Sequence, residues 1–373
     1  MTNRVPLYEV NEIIGTDVLE DVRKVIESGW LTLGEETEEF EREFAGTHDA
    51  NHGVAMNSCT SALYAALRAL GIGSGDRVAV PAITFSATAN VVRLLGADVV
   101  LVDVTDTGNM DPDSLERVLS TDDVEAVIPV HLYGLPCDID EIVRIANDHD
   151  SPVIEDCAHA PGATFDGQPV GSFGDVGCFS FYATKNMTTG EGGMAITNAE
   201  SIDAKLRQLR NHHQTKSPEE KKDAWGYDVD GLGFNFRMSE IEATIGRSQL
   251  TDLPEMNESR REVAARYIEG IDAIDGLRWV GNSDDRTEHV FHLFVVAVDD
   301  EYPLSRDELY EHLSDRDIRS GVHYPAISNL TYYQDVAGES ESAEELSQQI
   351  LSLPMFPNMV PETQDRVLDA LDV

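Results

Sequence analysis

Positive charge is scarce in this chain. Over 373 residues, 27 lysines and arginines stand against 69 aspartates and glutamates, a formal net charge of −42. No basic stripe is available to neutralise phosphates along a groove, which argues against nucleic acid as a partner. Cysteine is also sparse. Cys59, Cys137, Cys157 and Cys178 are too few and too dispersed for a disulfide framework, so buried free thiols are expected. Cys157 and His159 lie close in sequence, but no second pair completes a zinc site, and no metal is expected. No apolar run reaches the ~20 residues of a membrane helix. The opening residues, MTNRVPLYEV, lack the apolar core of a signal peptide. A soluble, cytoplasmic protein with no membrane partner is the expectation. There is no fixed-period repeat and no low-complexity tract.

The acids are scattered along the whole chain rather than gathered in a tail. This pattern favours a highly hydrated, halophilic surface suited to a salty cytoplasm, ahead of an acidic partner-binding face. Spread charge repels itself, so such a chain should need salt to screen it. The same field opposes an anionic substrate unless local Arg or Lys residues, or salt, offset it.

With 41% hydrophobic and 26% charged residues, the composition is that of an ordinary globular protein. The length exceeds one simple core and suggests a large domain, 1–250, and a smaller one, 251–373. Helices are expected over Asp17–Ser28, ended by Gly29-Trp30-Leu31, and over Glu35–Ala45. From there short apolar strands alternate with helices. Strands are expected at Gly53–Met56, Arg77–Pro81, Asp98–Val104, Val124–Val130, Pro152–Glu155, Val176–Tyr182 and Gly193–Thr197. The helices between them are Thr60–Leu70, Ser86–Leu95 and Ile139–Asn147. This alternation implies an α/β fold with a mostly parallel central sheet, whose ligands bind at the carboxyl ends of the strands. Past about residue 250 the pattern changes to a helix at Glu255–Ile271, a strand at Val290–Val298 and a helix at Arg306–Leu313. That is the signature of a smaller C-terminal α+β domain.

Three segments at strand ends carry chemistry. In Ser180-Phe181-Tyr182-Ala183-Thr184-Lys185, a lysine follows an apolar strand and precedes the turn Gly190-Glu191-Gly192-Gly193. Most lysines are solvated surface residues. One held beside a pocket can form a Schiff base with an aldehyde. In Ile154-Glu155-Asp156-Cys157-Ala158-His159, the acid at the strand end is either a cap or the partner of a protonated pyridine nitrogen. His159 is either structural or set against the same ring. In Asn57-Ser58-Cys59-Thr60-Ser61-Ala62, small polar residues open an Ala-rich helix. Such residues are ordinary N-caps, and they also make an anion site. The glycine spacing fits neither a Walker loop nor a dinucleotide fingerprint. A phosphate cradle, an acid and a lysine together suggest a phosphorylated pyridine aldehyde.

The whole set resembles the DegT-type (DegT/DnrJ/StrS) sugar aminotransferases, within the fold type I superfamily of pyridoxal-phosphate (PLP) enzymes. The resemblance runs over nearly the full chain. It rests on SGW with Gly34, NSCTSAL, PAITFSATAN, PVHLYGLPCDID, IEDCAHAPGA, FSFYATKNMTTGEGGM, LGFNFRMSEIEA, HYP and LPMFP in that order. It implies that Lys185 carries PLP and shuttles the proton, and that Asp156 pairs with the pyridine nitrogen. It places His159 and Phe85 against the ring and Thr60, Ser61 and Ser180 at the phosphate. Asn235 would reach the phosphate of a neighbouring subunit, which implies a homodimer with shared active sites. Arg237 would hold the carboxylate of the amino donor, and His323 and Tyr324 are candidates to read the sugar. Phe85 stands where some members have Trp, which changes stacking area but not chemistry.

The implied reaction moves nitrogen from glutamate to a nucleotide-linked keto-sugar, with a 4-keto-6-deoxyhexose ranked first. One alternative is a PLP-dependent sugar dehydratase, whose members replace the lysine with histidine; Lys185 argues against it. The other is a regulatory or sensor homologue that has lost catalysis, and the intact lysine, aspartate and phosphate segment argue against that.

Overall fold

A computed structural model of the chain describes residues 4–9, 14–16, 18–214, 227–282 and 284–373. The strands that build its centre are β1 (His52–Met56), β2 (Arg77–Pro81), β3 (Asp98–Val102), β4 (Ala126–Val127), β5 (Ile154–Asp156), β6 (Val176–Ser180) and β7 (Gly193–Thr197). Hydrogen bonding orders them β1-β7-β6-β5 and β4-β2-β3. Parallel bridges Val127–Val153 and Val130–Asp156 join the two halves into one sheet. Only β7 runs against its neighbours, pairing antiparallel with both β1 and β6. The rest are parallel, as expected of βαβ crossovers.

Both faces of this sheet are covered, which is why its strands read as unbroken apolar runs. Successive side chains alternate between two cores. Val54, Val78, Val80, Val99, Leu101, Cys178 and Ala195 join a cluster with the Ala-rich helix Cys59–Leu70. Ala55, Phe179, Met194 and Ile196 pack on the other side against Phe40 and Phe44 of the helix Glu35–Thr47. A further cluster draws Val263, Tyr267, Phe294, Leu309, Leu351 and Val367 together around a small antiparallel sheet of Leu277–Trp279, Phe294–Val298 and Ile350–Leu353. All four cysteines are free and buried.

Several elements differ from expectation. The first helix spans Val18–Ser28, and Asp17 lies outside the described residues. The long helix starts at Glu240, not Glu255, and runs to Ile271 with Pro254 inside it. A capping box starts it: Ser239 Oγ accepts from Glu242 N–H while the Glu242 carboxylate accepts from Ser239 N–H. Proline normally ends a helix; here burial of Leu253 and Met256 on both sides of Pro254 carries the helix through. The Val124–Val130 strand contracts to Ala126–Val127, and Val290–Val298 to Phe294–Val298. In the latter, His289–His292 form a buried loop that turns toward the cavity described next. Among the described residues, no helix is long and apolar enough to cross a membrane.

Candidate active site

Strands β5 and β6, lying side by side, deliver the acid and the lysine to one place. Asp156 is the last residue of β5 and is buried. Its Oδ2 accepts from Thr88 Oγ1 at 2.9 Å and its Oδ1 from Ala158 N–H at 3.1 Å. Since Thr88 spends its proton on Asp156, the 2.9 Å contact between Thr84 and Thr88 runs from the Thr84 hydroxyl to Thr88 Oγ1. Burial pushes the carboxyl upward, while Ala158 N–H, the Thr88 hydroxyl and Lys185 pull it down. An acid in this setting gains from a cationic partner more than one in water does.

After β6 the chain turns through Tyr182, whose carbonyl accepts Lys185 N–H at 2.9 Å. Burial lowers the Lys185 amine to about 8, against the opposing effects of Cys59 and Asp156. The amine therefore has far more of its neutral, nucleophilic form near neutral pH than a surface lysine. Glycine has a definite use here. A Cβ on Gly193, the first residue of β7, would meet Ser58 and Cys59 backbone atoms at 2.4–2.6 Å. Only glycine lets the start of the Cys59–Leu70 helix come this close to the sheet.

That helix start is the third component. Ser58 caps it, its Oγ accepting from Ser61 N–H at 3.1 Å. Ser61 Oγ donates to Asn57 Oδ1 at 2.7 Å, so Ser61 braces the turn instead of facing the cavity. Cys59 and Thr60 line the cavity at the end where helix N–H groups lack intrahelical partners.

The cavity holds about 560 Å³. Of the sequence-expected residues, Thr60, Phe85, Asp156, His159, Ser180, Lys185, His323 and Tyr324 line it. Ser61, Asn235 and Arg237 do not. Asn235 is exposed, on a segment whose backbone pairs with Asn57 and Met56, and Arg237 Nη1 donates to Asn211 Oδ1 at 2.7 Å. Ser58, from the helix-start segment, lines it too, and so do residues missed from sequence, notably Tyr8, Thr88 and His292. Thr88 had a signal: it lies in the first turn of the helix Ser86–Leu94, just after Phe85. Tyr8 and His292 sit in no motif.

His159 is held from two sides. Its Nδ1 accepts Tyr133 N–H at 3.2 Å, so its proton belongs on Nε2, 3.2 Å from Tyr324 Oη. Burial, with Lys185 and His323 adding to it, pushes this imidazole well below its ordinary value, so it is neutral. Cys157, two residues before His159 in sequence, does not join it in a cluster of ligating groups. Cys157 faces His131 and Glu155 instead, a buried trio that could suggest a metal. Glu155, however, already accepts from His131 Nε2 and from the N–H groups of Gly171, Phe173 and Gly174. Its acceptor positions are taken. The trio is a brace beneath β5, next to Asp156.

The arrangement fits a phosphorylated pyridine aldehyde. Thr60, Ser58 and Ser180 flank an open helix start for the phosphate. Asp156 suits the ring nitrogen, Phe85 and His159 offer flat faces, and Lys185 offers an amine of lowered basicity for the aldehyde. The chain's relatives agree. Residues 12–372 match the family model of the DegT/DnrJ/EryC1/StrS aminotransferases. The chain is 39% identical over 369 residues to the spore coat polysaccharide biosynthesis protein SpsC of Bacillus subtilis, covering 96% of this chain and 94% of that one. Its structure is similar to that of DesV from S. venezuelae, with a TM-score of 0.90, 34% identity and coverage of 100% and 98% of the two chains. It is also similar to DesI, solved in the presence of its TDP-sugar product, with a TM-score of 0.90, 28% identity and coverage of 100% and 93%. The chain belongs to the DegT/DnrJ/EryC1/StrS aminotransferase family, a family of PLP-dependent sugar transaminases of fold type I.

Proposed function

We propose that the protein takes the amino group of glutamate and gives it to the ketone of a nucleotide-linked sugar, a 4-keto-6-deoxyhexose ahead of a 3-keto sugar. The observation that carries the transaminase reading is Lys185 and Asp156 brought into one cavity, the amine's basicity lowered by burial. The sugar-nucleotide reading draws on the family and on DesI, whose product is a TDP-sugar. PLP, when bound, supplies the electron sink for proton removal at the carbon bearing nitrogen. Lys185 holds the aldehyde and then moves the proton. Asp156, positioned by Thr88 and Ala158, keeps the ring nitrogen protonated. Thr60, Ser61 and Ser180 serve the phosphate, Ser61 through the cap. His159 and Phe85 fix the ring plane.

Asn235 and Arg237 are assigned to a site shared between two copies of the chain, Asn235 at the partner's phosphate and Arg237 at the donor carboxylate. Asn235 is exposed, and the exposed apolar residues Trp30, Leu31, Tyr227 and Leu232 favour a covered face, both of which support a homodimer. Division of the chain near residue 250 is part of the same proposal. The cluster that gathers Val263, Tyr267, Phe294, Leu309, Leu351 and Val367 supports it, while Val5 joins that cluster from the other end of the chain, Val295 and Ile350 pack with the large sheet, and the Glu240–Ile271 helix runs through the boundary. We place the enzyme in a salty cytoplasm, on its acidic composition.

The test separates the half-reactions. Glutamate alone should bleach the yellow holoenzyme, and a nucleotide 4-keto sugar should restore the colour. Restoration by a simple keto acid other than 2-oxoglutarate, and by neither 3-keto nor 4-keto nucleotide sugars, would sink the sugar assignment.

A further inference from the structure

The N-terminal strap delivers a hydroxyl to the cavity from outside every motif of the family pattern. Val5 is buried and bridges Ile318, with Val5 N–H donating to the Asp317 carbonyl at 2.9 Å and Arg319 N–H to the Val5 carbonyl at 3.0 Å. Met355 N–H donates to the Leu7 carbonyl at 3.2 Å. The next residue, Tyr8, is thereby tied to the C-terminal part of the chain and lines the Lys185 cavity.

Two histidines set the Tyr8 ring. His323 contacts Ser352 Oγ through Nδ1 at 2.8 Å and Tyr8 Oη through Nε2 at 3.4 Å. Both ring nitrogens of His323 are therefore turned to protein groups, and the group it presents to the cavity is the tyrosine. Burial lowers His323 to about 4, so it is neutral. On the other side the His292 ring stacks on Tyr8 with centroids 6.2 Å apart. His292 Nδ1 lies 3.1 Å from Asn186 Oδ1, and Asn186 Nδ2 donates to Asn257 Oδ1 at 2.9 Å and to the Val290 carbonyl at 2.8 Å. Asn186 directly follows Lys185, so the orientation of Tyr8 is set partly from the lysine's own turn. A 3.4 Å contact is long for an O–H bond, which leaves the phenol able to engage a closer partner. Burial raises this phenol to about 12, so it remains a neutral donor.

We propose that Tyr8 is a substrate-binding residue, donating a hydrogen bond to an oxygen of the acceptor's sugar ring, with His323 and His292 as its positioning residues. This rests on the sugar-acceptor reading above. A neutral phenol suits a hydroxyl or ketone oxygen; the donor's carboxylate calls for a cation, the part given to Arg237. Tyr8 therefore discriminates between the two substrates that share the cavity.

The test uses Tyr8→Phe holoenzyme, which keeps the ring and removes the hydroxyl. In single-turnover experiments the half-reaction with the nucleotide keto-sugar should lose on the order of tenfold more in kcat/KM than the half-reaction with glutamate, the value of one hydrogen bond. Calorimetric titration with the nucleotide amino-sugar product should show binding weakened by a similar factor. His323→Gln, which frees the tyrosine, should shift the two half-reactions in the same sense. Equal slowing of both half-reactions, or no slowing of either with unchanged product binding, overturns the role of Tyr8. A wild-type enzyme that accepts nitrogen from glutamate yet passes it to no nucleotide keto-sugar overturns the sugar reading itself, a result visible before any variant is made.

Discussion

Asp156 ends one buried strand and Lys185 follows the apolar strand beside it, whereas Tyr8 and His323, 315 residues apart, meet only because distant parts of the chain fold together. The cavity thus has a floor of strand ends and a wall of distant segments. The floor carries the groups any substrate of a PLP enzyme must use. The wall carries groups whose hydrogen bonds can differ between one substrate and another. If that division holds, floor substitutions should damage both half-reactions and wall substitutions only one.

The largest effect is expected at the floor. Lys185→Ala should abolish both half-reactions while leaving the far-UV circular dichroism unchanged, since the side chain makes no bond that holds the sheet together. A variant with normal turnover would remove Lys185 from the chemistry. Asp156→Asn should slow both half-reactions by about 10²–10⁴-fold, the range of a positioned proton-transfer group, and weaken cofactor retention on dialysis. Selective loss of the acceptor half alone would move Asp156 from the floor to the wall.

A pH measurement probes the floor without mutation. Lys185 is lowered from its ordinary value to about 8 by burial first. Neutral amine attacks the aldehyde, so the rate at which the apoprotein takes up PLP should rise with pH and level off above about 8. At pH 7 roughly one-tenth of the amine is neutral at that value, against about one part in three thousand for an unperturbed lysine. A rate still climbing in proportion to hydroxide through pH 10 would refute the shift. Thr88→Val should have a smaller effect. It removes the 2.9 Å donor to Asp156 Oδ2 and nearly preserves shape. A hydrogen bond to a charged group contributes about 1.5–3 kcal/mol, so both half-reactions should fall by roughly tenfold to a hundredfold.

The same division decides what could be read from the sequence. Alternating apolar runs exposed the sheet, because burial on both faces leaves period-two packing no polar residues to hide behind. Asp156, Lys185 and Thr60 were legible because the ends of strands and the start of a helix are local signals. Thr88 was within reach, one helical turn beyond Phe85. His292 and Tyr8 were not, since their place depends on a loop threaded between Lys185's neighbour Asn186 and the helix residue Asn257. The long helix was misjudged for a local reason: Pro254 looks like a start signal, and only the packing of Leu253 and Met256 overrides it.

The smallest effect separates the buried floor from the exposed surface. The formal charge of −42 is spread over the chain, and many of its acids are exposed. Salt shortens the reach of their repulsion from about 10 Å at 0.1 M to about 3 Å at 1 M. The melting temperature at fixed PLP should therefore climb by on the order of several degrees as potassium chloride rises into the molar range. The inflection near 8 in PLP uptake should stay where it is, because its first cause is loss of water around the Lys185 amine, which dissolved ions do not restore. The two curves should be recorded on the same preparation. A melting temperature that is flat or falls with salt counts against the high-salt surface and revives an acidic face for a partner. An inflection that moves with salt in step with the melting temperature would mean that Lys185 feels the surface charge, and that the floor is less sealed than its burial implies.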